Sequence, residues 1–106
     1  MRRNGTKHTR TLNCAAVEKT LRSSRAVLRE RFGVKTIGLF GSFANGKPGI
    51  RSDVDILIEF SRPVGWEFLD VQEYLEARLG RKVDLVTRRA LKPQLRERIL
   101  AEVKYA

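Results

Sequence analysis

The chain has 106 residues, which suffice for one hydrophobic core and are too few for a second domain. Its formal net charge is +10, and residues 1–35 supply +8 of it through ten Lys and Arg against two Glu. A single cysteine, Cys14, excludes an internal disulfide, and the absence of a secretory or membrane-spanning apolar run predicts a cytoplasmic protein without a membrane partner.

Residues 1–11 are basic and polar, and we expect them to form a disordered tail before a single domain at residues 12–106. The basic residues 1–35 allow two interpretations. They are a solvated helix face, or they attract nucleic acid or an acidic protein. The solvated face is favoured because no aromatic residues are interleaved with the cations.

Apolar residues at helical spacing predict a first helix that begins after Thr11 or Asn13 and ends at Gly33. Its buried stripe is expected to be Val17, Leu21, Ser24, Leu28 and Phe32. Residues 34–40 then form a buried strand that leads into Gly41, and residues 54–60 form a second strand. A turn-rich loop joins the two strands.

Gly41 and Ser42 lie where the first strand ends. Glycine lets backbone N–H groups approach an anion, and a serine at the start of a short helix adds a hydroxyl donor. This pair therefore predicts a site for the phosphates of a nucleotide. Lys47 or Arg51 could reach a phosphate from the following loop, although a solvated charge is the better interpretation of Lys47.

Asp53 and Asp55 open the second strand. Residues two apart in a strand project from the same face, so both carboxylates can hold one cation. Two carboxylates this close repel each other unless a positive charge lies between them. Hard oxygen ligands, few in number, favour magnesium over zinc.

A second long helix is expected to begin near Trp66 and to end at Gly80. One face of it carries Phe68, Leu69, Leu75 and Leu79. The aromatic residues Trp66, Phe68 and Tyr74 are interpreted as core packing rather than as contacts to a nucleobase or partner. A last helix has Pro93 in its first turn and Leu95, Ile99 and Val103 at its apolar positions.

Asp84 is flanked by Val, Leu and Val in a third strand at residues 82–87. A lone carboxylate in a buried strand is costly unless it is paired or bound to a metal, which groups Asp84 with Asp53 and Asp55. The alternative is an edge strand on which Asp84 faces water.

Three segments together resemble the minimal nucleotidyltransferases of the DNA polymerase β superfamily, and most closely its MntA-type antitoxins. They are residues 41–46 (Gly-Ser-Phe-Ala-Asn-Gly), 52–58 (Ser-Asp-Val-Asp-Ile-Leu-Ile) and 83–87 (Val-Asp-Leu-Val-Thr). The likeness runs from about Leu12 to the C-terminus. It implies a single small α/β nucleotidyltransferase domain, with a mixed sheet, helices on one main face and an open active-site edge.

The resemblance also implies the chemistry. Gly41 and Ser42 would hold the β- and γ-phosphates of ATP, Asp53 and Asp55 would bind Mg²⁺, and Asp84 would complete a second metal site or accept the proton of the attacking hydroxyl. In this family the acceptor is a tyrosine of a HEPN-domain toxin of the HepT type, whose ribonuclease activity is silenced by adenylylation.

Two alternatives stay open. The chain is a nucleotide-binding antitoxin that neutralises its partner by covering it, or a transferase that acts on RNA or DNA held by the basic first helix. The three intact acids argue against the first alternative. The family commonly has Arg where this chain has Asn45, which weakens the expectation of a phosphate contact there. The sequence leaves a homo-oligomer open.

Overall fold

The computed structural model describes residues 12–46 and 53–106. The predicted tail at residues 1–11, Lys47 and Arg51 lie outside them. In chain order the elements are α1 Cys14–Phe32, β1 Val34–Phe40, α2 Gly41–Ala44, β2 Val54–Phe60, α3 Glu67–Leu79, β3 Val83–Thr87, a 3-10 turn Arg88–Ala90, α4 Pro93–Glu102 and β4 Lys104–Tyr105. In the described part of the chain, every helix is too short or too polar to cross a membrane.

Helix α1 begins and ends at its predicted capping residues. The Asn13 side chain accepts a backbone N–H of the first turn at 2.9 Å, and Gly33 ends the helix with a φ of 73°. All five residues of the predicted stripe are buried. Ser24 tolerates burial because its hydroxyl donates to the Thr20 carbonyl at 2.7 Å.

The four strands form one mixed sheet in the order β3-β2-β1-β4. Strand β1 is antiparallel to β2 and β4, whereas β2 and β3 run parallel. The first two strands have their predicted bounds, and the third begins at Val83, one residue later than predicted. No sequence pattern predicts β4, because two exposed residues are too few to show alternation.

Alternation along the strands gives the sheet two different faces. One face is packed by α1 and α3, and its buried strand residues are Ile37, Leu39, Val54, Ile56, Ile58, Val83 and Leu85. The residues between them, including Asp55 and Asp84, project from the other face. This arrangement confirms the predicted fold class, with its main helices on one face of a mixed sheet.

Helix α3 corrects the sequence interpretation at two positions. Leu69 is 47% exposed and Trp66 is 80% exposed, so neither belongs to the core. Val71 takes the buried position, because it lies one helical turn from Leu75, whereas Leu69 faces the opposite side. Phe68 and Tyr74 do pack against the core, as expected.

Helix α4 begins with Pro93 in its first turn, as predicted, but it buries none of its residues. Leu95 is 42% exposed. The apolar positions of this helix therefore do not form a core face.

Candidate active site

The end of β1 and the beginnings of β2 and β3 meet at one edge of the sheet. In the strand register Phe40 lies opposite Asp55, and Asp55 lies opposite Asp84. Neighbouring strands are about 4.8 Å apart. The fold therefore gathers the Gly41 turn and the carboxylates of two strands into one small region on the open face.

The carboxyl group of Asp55 is the electrostatic centre of this region. Burial, the charge of Asp84, the charge of Asp53 and a hydrogen bond with Asp84 together raise the pKa of Asp55 from 3.8 to about 6. Burial is the largest cause of the raised pKa, and repulsion from the two neighbouring carboxylates adds to it. The structure thus places all three acids close enough to interact through their charges.

The sequence leaves two alternatives for Asp84: it belongs to the acid cluster, or it faces water on an edge strand. In the structure both are true. Strand β3 is an edge strand and Asp84 is exposed, yet its side chain is hydrogen-bonded to Asp55. The premise of a fully buried third strand is wrong, because the helices that form the main core cover only one face of the sheet. A carboxylate on the open face of β3 can therefore be hydrated and still belong to the site.

Two side chains of α3 fix β3 beside Asp84. Gln72 donates to the Val83 carbonyl and Glu76 accepts the Val83 N–H, both at 2.9 Å. These bonds occupy both backbone groups of the residue before Asp84 and so hold the strand in its register. The sequence gives no signal for them, because polar residues on a helix read as solvent-exposed until the packing is known.

Asp53 precedes β2 by one residue and is exposed. Within residues 12–46 and 53–106, no group of three or more His, Cys, Asp or Glu is arranged to hold a metal ion. The donor set nevertheless fits Mg²⁺, since hard carboxylate oxygens suit this ion and a cation would relieve the repulsion that raises the pKa of Asp55. The metal-ligand roles of Asp53, Asp55 and Asp84 stay predictions.

Gly41 is required at its position by both backbone and space. Its φ is 75°, a region that side chains rarely tolerate, and a Cβ atom placed on it would collide with Oδ2 of Asp55. The turn and the carboxylate are therefore packed directly against each other. Ser42 follows in the first turn of α2 and is half-buried.

A fourth acid reaches this turn from the C-terminal helix. Oε1 of Glu102 accepts the N–H of Gly41 at 3.4 Å, across 61 residues of sequence. No sequence signal predicts this contact, because Glu102 lies in a helix without any motif and meets Gly41 only through the tertiary fold.

Comparison with known proteins agrees with this geometry. The family model of the nucleotidyltransferase domain matches residues 21–106. The protein adenylyltransferase MntA of Thermococcus cleftensis is 44% identical over 95 residues, which cover 89% of this chain and 96% of that protein.

Solved structures show the same fold. A structure assigned as a minimal nucleotidyltransferase has a TM-score of 0.77 at 28% identity and covers 89% of this chain and 96% of its own. A toxin–antitoxin structure with AMP-PNP has a TM-score of 0.64 at 25% identity, with 89% and 72% covered. An MntA–HepT complex, at a TM-score of 0.60 and 21% identity, with 82% and 68% covered, supports the fold alone.

Proposed function

Because the chain belongs to the nucleotidyltransferase-domain family and, within it, to the MntA-type protein adenylyltransferases, we propose that it transfers AMP from ATP to a hydroxyl of a partner protein. The observation that carries this proposal is the row of acids beside the Gly41 turn. Nucleotidyl transfer requires a turn that binds the triphosphate of the nucleotide and, next to it, carboxylates that bind the catalytic metal ions.

In the proposed reaction, the turn formed by Gly41 and Ser42 binds the β- and γ-phosphates through the backbone N–H and the hydroxyl of Ser42, while the missing side chain of Gly41 lets the phosphates approach the backbone. The acceptor oxygen attacks the α-phosphorus, a new P–O bond forms, and the bond to the β-phosphate breaks, so that pyrophosphate leaves. Asp84 is exposed and sits beside Asp55, from where it can take the proton of the attacking hydroxyl.

Asp53 and Asp55 are the residues that would hold Mg²⁺, and Asp84 would complete a second site as the alternative to accepting the proton. Bound there, the ions supply charge neutralisation for the attacking and the leaving oxygens. The pKa of Asp55 supports this assignment, because burial and the neighbouring acids raise it to about 6, and a nearby cation would offset both effects by stabilising the ionised carboxylate.

The proposed acceptor is a tyrosine of a HEPN-domain toxin of the HepT type, and the chain would act as the antitoxin of that pair. Two findings support this partner. The chain is 44% identical to a protein adenylyltransferase, and it shares its fold with a toxin–antitoxin structure that holds an ATP analogue. ATP is accordingly the proposed nucleotide.

The experiment combines the purified chain with labelled ATP, Mg²⁺ and a candidate HEPN-domain toxin. We expect labelled AMP on a tyrosine of the toxin, and no label with the double variant Asp53→Ala, Asp55→Ala. Asp70→Ala is the matched control, since Asp70 is an exposed acid on α3, on the other face of the sheet. Full neutralisation of the toxin by the double variant would instead favour an antitoxin that only covers its partner.

A transferase directed to nucleic acid is the second alternative, and the fold argues against it. Helix α1, which carries the described part of the basic excess, packs on the face opposite to the carboxylates. An RNA or DNA strand bound by the exposed arginines of α1 would therefore lie on the opposite side of the sheet from the carboxylates. Label on the 3′ end of an added RNA, rather than on protein, would overturn the proposed acceptor.

A further inference from the structure

The N–H of Gly41 needs an acceptor from outside its own helix. The first N–H groups of any helix lack intrahelical partners, and Phe40, the capping residue of α2, makes no side-chain bond. Oε1 of Glu102 fills this role at 3.4 Å. The last residue of α4 thus serves as a remote cap for the turn at the end of β1.

This bond holds Gly41 at its N–H, a different point from its contact with Asp55. The vacant Cβ position of Gly41 faces Oδ2 of Asp55, while its N–H faces Glu102. The peptide plane between Phe40 and Gly41 carries that N–H, so the bond fixes the rotation of the plane. The rotation in turn sets where the next N–H, that of Ser42, points.

Glu102 contributes little to the core. Helix α4 buries none of its residues, and Glu102 is half-buried at its end and absent from the hydrophobic cluster. The next residue, Val103, lies over Gly38 on the open face of the sheet. The end of α4 is therefore held near the turn by the packing of the Val103 side chain against Gly38, and the Glu102 carboxylate makes the hydrogen bond to the turn.

We propose that Glu102 is a positioning residue, which holds the Gly41 turn in the orientation that receives the nucleotide phosphates without touching the reacting atoms. The inference rests on the proposed function, because it assigns a task within that same site. A carboxylate suits the task, since an ionised Glu side chain only accepts hydrogen bonds and can meet the N–H with either oxygen.

The test compares Glu102→Ala with Glu97→Ala, an exposed acid on the same helix, and with Glu102→Gln. We expect Glu102→Ala to weaken Mg²⁺·AMP-PNP binding roughly three- to tenfold, the scale of one ordinary hydrogen bond, and to raise the KM for ATP more than it lowers kcat. Glu102→Gln should restore most of the affinity, because its amide oxygen still accepts. Glu97→Ala should match the wild type.

A readout independent of catalysis is the exchange of the Gly41 amide hydrogen, followed by nuclear magnetic resonance. It should speed up in Glu102→Ala and stay slow in the control. Nucleotide affinity in Glu102→Ala equal to that of the control would overturn the inference, and so would tighter binding, which would show that the carboxylate competes with the phosphates. A wild-type chain that binds no nucleotide would overturn the proposed function itself.

Discussion

The Asp55 carboxyl group lies directly against Gly41 at the end of β1, so there is no room for a side chain at position 41. The missing side chain of Gly41 leaves room for the carboxylate, and the carboxylate is kept close to its charged neighbours. Such an arrangement costs stability in the nucleotide-free chain, because burial and like charges both disfavour ionised Asp55. The arrangement thus favours cation binding and lowers the free energy of unfolding of the metal-free chain.

Replacing Asp55 by Asn should reveal this cost. The pKa of Asp55 is about 6 in the folded chain, against an ordinary value of 3.8. Protonated Asp55 therefore stabilises the folded chain fully below pH 3.8, and this stabilisation is lost as the pH rises through 6. Near pH 7, without metal, Asp55→Asn should abolish transfer yet raise the free energy of unfolding by about 1 kcal/mol, a value reduced for solvent screening of a half-exposed group.

Urea unfolding of both proteins near pH 7 and near pH 4 checks this expectation. The gain should shrink at the lower pH, where wild-type Asp55 is largely protonated. An equal gain at both pH values would contradict the electrostatic origin, and a destabilised variant would point to a structural role for the carboxylate.

Gly41→Ala should disrupt both the backbone and the carboxylate. Gly46 is the matched control, because its φ is also 75° but nothing lies within 4 Å of its Cβ position. Both variants should lose roughly 1 kcal/mol from backbone strain. Only Gly41→Ala should also lose nucleotide binding, as measured by titration with AMP-PNP, since it alone displaces Asp55. Equal loss of nucleotide binding in both variants would contradict the claim that a Cβ atom at position 41 displaces Asp55.

Helix α4 and strand β4 lie at the surface and contribute no buried residue to the core. Strand β4 pairs with β1 at Gly38 and Leu39, and a Cβ atom on Gly38 would approach Val103 Cγ2 to 2.6 Å and the Lys104 carbonyl to 3.2 Å. Helix α4 has no buried residue of its own, so its end is positioned largely by this contact. The absence of a side chain at Gly38 makes the contact possible.

Gly38→Ala should push β4 away from β1 and lower the free energy of unfolding by about 1 to 3 kcal/mol, the cost of overpacking. Gly65→Ala is its control, since nothing lies within 4 Å of that Cβ position. Thermal unfolding followed by circular dichroism measures both. Equal melting temperatures for the two variants would contradict the close approach of β4.

Across the molecule, the core and the chemistry lie on opposite faces of one sheet. Helices α1 and α3 pack the first face, and the interacting acids use the second. This separation lets the protein keep an unfavourable cluster of like charges without opening its core. It also leaves the stability of the whole chain responsive to whatever neutralises that cluster.

Mg²⁺ with AMP-PNP should therefore raise the melting temperature of the chain. Ligand at one hundred times its Kd adds about 2.7 kcal/mol of stability, which amounts to roughly ten to twenty degrees for a domain of this size. The increase should vanish with a chelator and in Asp53→Ala, Asp55→Ala, and it should persist in Asp70→Ala. An increase of the same size in the double variant would place the nucleotide elsewhere.

The sequence predicts those features of the fold that depend on neighbouring residues. Asn13 and Gly33 mark the ends of α1, and the apolar runs set the first two strands, because caps and periodicity are local properties. The apolar pattern predicts the wrong face for Leu69, because the buried position belongs to Val71 and the helix bounds alone do not decide between them. Glu102 was not predictable at all, since its contact with Gly41 joins distant segments.

The position of Trp66 has a practical consequence. It is the chain's single tryptophan and is 80% exposed just before α3, so its fluorescence already reports a watery environment in the native protein. Loss of the core will change that emission little. A shift to shorter wavelength on mixing with another molecule will instead record something covering this corner of the surface, without any added dye.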